Sequence, residues 1–254
     1  MNQKISVFII AYNEENIIDK CLDRLSWADE IIVVDSGSTD STVVICKQFG
    51  AKVIYNKFEN FGKQKQFALL QTSNRWVLSL DADEVLSDDL IDEIKKTVFT
   101  EQFSGYKIPR THVFLDKIFK YGSENKKPIL RLFDKEKGSF EENKVHEKIV
   151  VDGEIGSLKN EMLHYTVFEI SIAVRKMVNY AILSGEFLYD SGKTTGLLKP
   201  IIKFPYDFFR VYLIQFNFLN GYQGFVWSVF CAFGSFLKYA KLLELQKMSI
   251  IKPE

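Results

Sequence analysis

The side chains best suited to chemistry stand at Asp81-Ala82-Asp83, where the apolar run Trp76-Val77-Leu78-Ser79-Leu80 stops abruptly in two aspartates spaced i, i+2. A continuous run of β-formers reads as a strand buried on both faces, so the carboxylates emerge where the strand meets water. At that edge of an α/β sheet, paired carboxylates suit the holding of a divalent cation against phosphate oxygens. Solvated loops also produce Asp-x-Asp, so the rest of the chain has to decide between the two readings.

Two earlier runs end the same way. Ser6–Ala11 is an apolar strand followed by Tyr12-Asn13-Glu14-Glu15, with Asn13 the expected N-cap of a helix carrying Ile17, Ile18, Cys21, Leu22 and Leu25. Glu30–Asp35 is a second buried strand, and Ser36–Asp40 is a tight loop into a helix that stops at Gly50. Lys52–Tyr55 is a third strand. Gly62–Leu70 opens a helix with Lys63 and Lys65 near its start, and Ser87-Asp88-Asp89 caps another through Phe99. Strand and helix in alternation give a parallel sheet with right-handed crossovers, whose ligands sit outside the carboxyl ends of the strands. Asn13/Glu14, Asp35 and Asp81/Asp83 therefore share one edge. After residue 103 the pattern changes to strands at 106–114, 129–133 and 148–151 without helical crossovers, expected as antiparallel or mixed additions covering an acceptor side. From Phe168 onward the reading is helical.

Composition narrows the classes. With 33 basic and 33 acidic residues, no global field favours nucleic acid. Residues 166–254 nevertheless hold 10 basic against 6 acidic residues and half of the 22 phenylalanines, a composition suited to a membrane surface. Cys21, Cys46 and Cys231 are widely spaced and read as free thiols of a reducing compartment. The run from Ile5 to Tyr12 is too short for a signal peptide, and a cytoplasmic protein is expected. A dinucleotide G-x-G-x-x-G, a Walker lysine loop, a G-x-S-x-G elbow and an H-E-x-x-H pair are all missing from the sequence.

Phe8-Ile9-Ile10-Ala11-Tyr12-Asn13-Glu14, Ile32-Val33-Val34-Asp35-Ser36-Gly37-Ser38-Thr39-Asp40, Gly62–Ala68 and Leu80-Asp81-Ala82-Asp83 occur in the order seen in family 2 glycosyltransferases. Over residues 4–165 the chain resembles that family, and Arg131-Leu132-Phe133, Val145-His146-Glu147 and Leu163-His164-Tyr165 resemble its lipopolysaccharide-core glucosyltransferases. The resemblance implies a GT-A-type, Rossmann-like α/β fold, a mostly parallel sheet with helices on both faces. Residues 1–165 would form the nucleotide-sugar-binding and catalytic domain, and 166–254 a helical extension.

It further implies a UDP-sugar donor, a divalent metal (Mg²⁺ or Mn²⁺), and transfer of a hexose with inversion to a lipopolysaccharide-core or other cell-surface acceptor. By that analogy the Ala11, Tyr12, Asn13, Glu14 loop closes around the nucleotide and Asp35 contacts uracil or ribose. Lys65 neutralises the departing diphosphate, and Asp81 and Ala82 approach ribose or metal. Asp83 binds the metal, and His164 completes its shell. Arg131 holds a phosphate of donor or acceptor. Inversion needs a base facing the acceptor hydroxyl. Glu147 is the expected base and Asp134 the second candidate.

Val211–Leu237 carries no formal charge, but Gln215, Asn217, Asn220 and Gln223 interrupt it, and Phe225–Leu237 is too short to span a bilayer. Helices lying in a membrane interface, or an oligomer contact, are expected there, on the inner face of the bacterial cytoplasmic membrane beside a glycolipid acceptor. Two rival readings remain from the residues. Leu80–Val85 also fits the D-x-D-x-V opening of haloacid-dehalogenase-type phosphatases, and a sugar nucleotidyltransferase shares much of the fold.

Overall fold

The computed structural model describes residues 3–98, 102–123, 125–141, 148–167 and 169–251. The first elements alternate strictly: β1 (Ile5–Ala11), α1 (Ile18–Asp23), β2 (Glu30–Asp35), α2 (Thr42–Gln48), β3 (Lys52–Tyr55), α3 (Phe61–Gln71) and β4 (Trp76–Asp81). The four strands run parallel in the order β3-β2-β1-β4. Interior parallel strands are covered on both faces, which is why their sequences are continuously apolar. Val7, Ile9, Leu78 and Leu80 pack with Ile18 and Leu22 of α1 on one side. Phe8 and Val77 meet Ala68 and Leu69 of α3 on the other.

Beyond β4 come β5 (Glu84–Leu86), α4 (Asp88–Thr97), β6 (Gly105–Phe114), β7 (Lys117–Ile118), β8 (Lys127–Asp134), β9 (Gly138–Phe140), β10 (Ile149–Val151), β11 (Ile155–Ser157) and β12 (Met162–Val167). The sheet continues past β4 as β8-β6-β12-β5. The β4–β8, β8–β6 and β12–β5 pairs are antiparallel, the mixed extension expected from the lost crossovers. Ser87 caps α4 as its position predicts, its hydroxyl accepting from the Leu90 amide. Asn13 does not cap α1. It holds a left-handed conformation (φ 55°), and the helix starts only at Ile18.

Contacts divide the chain into two compact units, Met1–Thr111 with Lys126–Tyr165, and His112–Asn125 with Thr166–Glu254. In the second unit α5 (Ile170–Asp190) and α6 (Leu198–Phe209) pack on α7 (Tyr222–Ile251). The α5–α7 approach is close at Gly185, where a Cβ would lie 2.8 Å from the Lys238 carbonyl oxygen. A π-helical turn over Arg210–Ile214 extends α6, and a 3-10 turn over Asn217–Asn220 leads into α7. The long helix departs from the sequence reading. It runs unbroken through Leu237, 30 residues in all, about 45 Å at 1.5 Å per residue. Its stretch Tyr222–Ser249, with a window of mean hydropathy 1.2, is long and apolar enough to cross a membrane by length and composition.

Gly138 opens β9 directly against Phe133, and a Cβ there would run into the ring. Gly138→Ala should therefore cost about 1–3 kcal/mol through overpacking. The measurement is the urea midpoint at constant m-value, and an unchanged midpoint would show that the ring is not so placed.

Candidate active site

The order β3-β2-β1-β4 puts a topological switch point between β1 and its two neighbours, where α/β sheets open a ligand crevice. Register fixes what lines it: Ala11 is level with Asp35, and Ile10 with Asp81. The three strand ends expected to share an edge do so.

Two loops at this edge are stitched together. Asp35 accepts hydrogen bonds from the Gly37 amide (2.8 Å), the Ser38 amide (3.0 Å) and the Ser38 hydroxyl (2.5 Å). Asn13 donates its amide to the Ser38 hydroxyl and accepts from the Thr39 amide at 2.8 Å. The Glu14 amide donates to the Thr42 hydroxyl, and the Glu15 carboxylate accepts from the Ser41 amide. The left-handed turn at Asn13 is thus held by side-chain bonds to the next loop. It leaves Tyr12 standing exposed at the rim and Ala11 buried below it.

Asp81 is gripped from two sides. One carboxylate oxygen lies 2.7 Å from the Lys65 ammonium and the other 2.6 Å from the Arg131 guanidinium. Lys65 is fully enclosed although it carries a charge, which a protein interior tolerates only with such a partner. Beneath them Glu84, fully buried, meets Arg131 at 2.7 Å and Arg110 at 3.5 Å, and accepts from the Asp81 amide. Burial alone would raise the Asp81 pKa. Arg131 and Lys65 outweigh that term and hold the carboxyl well below the usual carboxylate range.

Asp83 turns the other way. Its carboxylate lies 3.2 Å from Nε2 of His164, and the Tyr165 amide donates to the Asp83 carbonyl. The antiparallel register of β12 on β5, with His164 level with Glu84, creates this meeting between residues far apart in sequence. Both side chains stay partly exposed. One carboxylate and one imidazole side by side are a donor set that suits Mn²⁺ better than Mg²⁺, which takes oxygen ligands. Among the described residues no group of three or more such ligands converges, so phosphate oxygens and water would fill the other positions, as Mg²⁺ sites commonly require.

The structure places the expected site residues as follows. Asp81, expected at the ribose or the metal, has each oxygen on a cation. Arg131, expected on a phosphate, is buried against Asp81 and Glu84, and Lys65 is closed beneath Asp81. Asp134, the second candidate for the base, pairs with Trp76 at the opposite end of β4. Five residues at about 3.3 Å each separate it from the Asp81 level. It accepts from Arg75 and the Glu136 amide, a turn-stabilising role. Glu147 lies outside the described residues. Ala82 is buried between the two aspartates. Sequence reasoning missed Glu84 and Arg110. The signal for Glu84 was an acid placed directly before the apolar pair Val85-Leu86.

This sheet order, with its antiparallel extension and acidic residues at the switch point, is the architecture of a GT-A-type fold. The model of "Glycosyl transferase family 2" matches residues 6–157, and the chain belongs to that family. Among relatives, a glycosyltransferase of Rickettsia bellii (strain RML369-C) is 32% identical over 96% of this chain and 88% of its own length. The lipopolysaccharide core biosynthesis glycosyltransferase LpsC of Rhizobium meliloti (strain 1021) is 30% identical over 94% of this chain and 92% of its own. A crystal structure of glucosyl-3-phosphoglycerate synthase from Mycobacterium tuberculosis, holding Mn²⁺, UDP and phosphoglyceric acid, is 28% identical over 42% of this chain and 43% of that one, with a TM-score of 0.39. Family membership decides against the phosphatase and nucleotidyltransferase readings.

The Asp81 pairing predicts a pH dependence of stability. Its folded pKa lies below the unfolded value of about 3.9, so between the two values the unfolded chain binds more protons and stability rises with pH. The contribution is present in full above the unfolded value and is lost as pH falls through the folded one. Between about pH 6 and about pH 3, wild type should lose more of its urea midpoint than Asp81→Asn. Parallel losses would show that the pairing contributes nothing.

Proposed function

We propose that the chain transfers a hexose, glucose by its resemblance, from a UDP-sugar to a lipopolysaccharide-core or other cell-surface glycan, with inversion in a single metal-assisted displacement. The observation that carries this is the convergence at one sheet edge of a neutralised Asp81 and an open Asp83–His164 pair. The LpsC relative supports the acceptor class. Asp83 and His164 would hold the divalent cation, which supplies charge neutralisation to the departing diphosphate.

The remaining roles belong to the chain's own groups. The exposed ring of Tyr12 is available to cover the base, while the Asn13–Thr39 stitching keeps the two loops from spreading. Asp81, fixed by Lys65 and Arg131, presents its remaining lone pairs to a ribose hydroxyl. Lys65 and Arg131 act through Asp81, and they are positioning residues in this reading. Glu147 is the proposed base, removing the acceptor hydroxyl proton as the C–O bond to the anomeric carbon forms and the bond to the diphosphate breaks. A glycolipid acceptor fits a cytoplasmic enzyme working peripherally at the inner face of the membrane, given the apolar helical unit.

The test is UDP release from a panel of UDP-sugars with Mn²⁺, with mass spectrometry of the product. Asp83→Ala should lower turnover by about 100-fold or more, the scale for losing a group that stabilises developing charge. Glu147→Gln should lower transfer by about 10²–10⁴-fold, the range for a general base, while UDP binding persists. Full activity of Asp83→Ala, or no turnover of any nucleotide sugar by the wild type, would overturn the proposal.

A further inference from the structure

The helical unit is built inside out around one segment. In α6 and its π-helical extension, Pro200, Asp207 and Val211 face inward, while Leu198, Ile201, Phe209 and Ile214 point to solvent. Ile201 is 63% exposed and Ile214 71%. A surface helix of a water-soluble domain shows the reverse, with its apolar stripe inside. The turn that follows has the same character: Asn217 and Asn220 are buried, while Phe216, Leu219 and Tyr222 stand out.

The interior polar groups are all engaged. Asp207 accepts from Lys203 and Arg210, both at 3.1 Å. Asn217 donates to the Val211 carbonyl. Asn220 donates to the Tyr121 carbonyl and accepts from the Lys120 amide. These bonds fasten the elbow in place, so its outward apolar side chains are held there by the fold. An exposed apolar surface of this extent marks an interaction site.

Charge selects the occupant. The elbow, residues 197–222, carries three basic residues, Lys199, Lys203 and Arg210, and one acid, Asp207. That acid is buried and already paired. A second copy docking on the same face would bring like charges together. Anionic headgroups above an apolar layer complement both features.

We propose that the elbow formed by α6, its π-helical turn and the 3-10 turn, residues 197–222, inserts its apolar face into one leaflet of an anionic bilayer. It docks from one side, through the elbow. This extends the reading of a membrane-borne acceptor, but its test contains no nucleotide sugar, so the two stand or fall separately.

The full-length protein is sedimented with vesicles of phosphatidylglycerol and phosphatidylcholine, and with phosphatidylcholine alone. Wild type should bind the anionic vesicles and bind the zwitterionic ones much less. The triple variant Ile201→Glu, Phe209→Glu, Ile214→Glu should lose at least about tenfold in binding, because it places three carboxylates in the apolar layer. Lys193→Glu with Lys199→Glu should weaken binding to anionic vesicles several-fold. In wild type, hydrogen exchange across residues 197–222 should slow when anionic vesicles are added, a readout independent of any variant's folding. Undiminished binding by the correctly folded triple variant, or protection confined to α7, would overturn the proposal. So would a wild-type dimer that the triple variant dissociates while vesicle binding is absent, which would give the face to a second copy.

Discussion

An ionised carboxylate at a sheet edge survives partial burial only if cations reach it, and Asp81 is reached by Lys65 from α3 and Arg131 from β8. The clamp ties two elements that are distant in sequence, α3 and β8, to the end of β4. Breaking a buried pair from one side leaves an uncompensated charge, at a cost of about 3–5 kcal/mol. Glu84 makes the arrangement possible, because it supplies the second acid that two guanidinium groups require in a closed space. The site's positions are thus fixed by charge balance before any substrate arrives.

The clamp also divides the work between two aspartates that look equivalent in sequence. Asp81 has each carboxylate oxygen on a cation of the chain itself. Asp83, two residues on, escapes the network and meets His164 at the more open side. Alternation along an extended segment sends neighbours at i and i+1 to opposite faces, but the turn at Asp81–Glu84 breaks that rule and lets the two aspartates diverge.

The parallel half of the fold was legible because its interior strands are buried on both faces, and such strands write themselves as unbroken apolar runs: Glu30–Asp35 came out residue for residue, as did the short, partly exposed edge strand Lys52–Tyr55. The three-residue strand β5 was not, being too short for a pattern to reveal it, and neither was the six-residue β12, whose apolar run is broken by His164 and Thr166. Asn13 was read as a helix cap because Asn before an apolar stripe usually is one. Bonds to Ser38 and Thr39 from another loop override that preference, and these cannot be seen locally. The site was legible as a set of carboxylates at one edge. Their partners were not, because Arg110 and Arg131 reach Glu84 only through the sheet pairings beyond β4. Asp134 shows the converse: an acid after a strand is informative only when the strand's direction is known.

The segment His112–Asn125 lies within the stretch of chain that builds the α/β unit, yet it belongs to the helical one. Phe114 and Phe119 pack edge to face on Trp227, with Phe230 also against Phe114. The helical unit is therefore woven in at two points of the chain and is no removable tail. A chain cut after Tyr165 would leave two phenylalanines without their aromatic neighbours. In evolution, an exchange of helical units between such chains by simple end-to-end fusion would fail here. The inserted loop and the C-terminal helices have to travel together, so their sequences must drift as a matched pair.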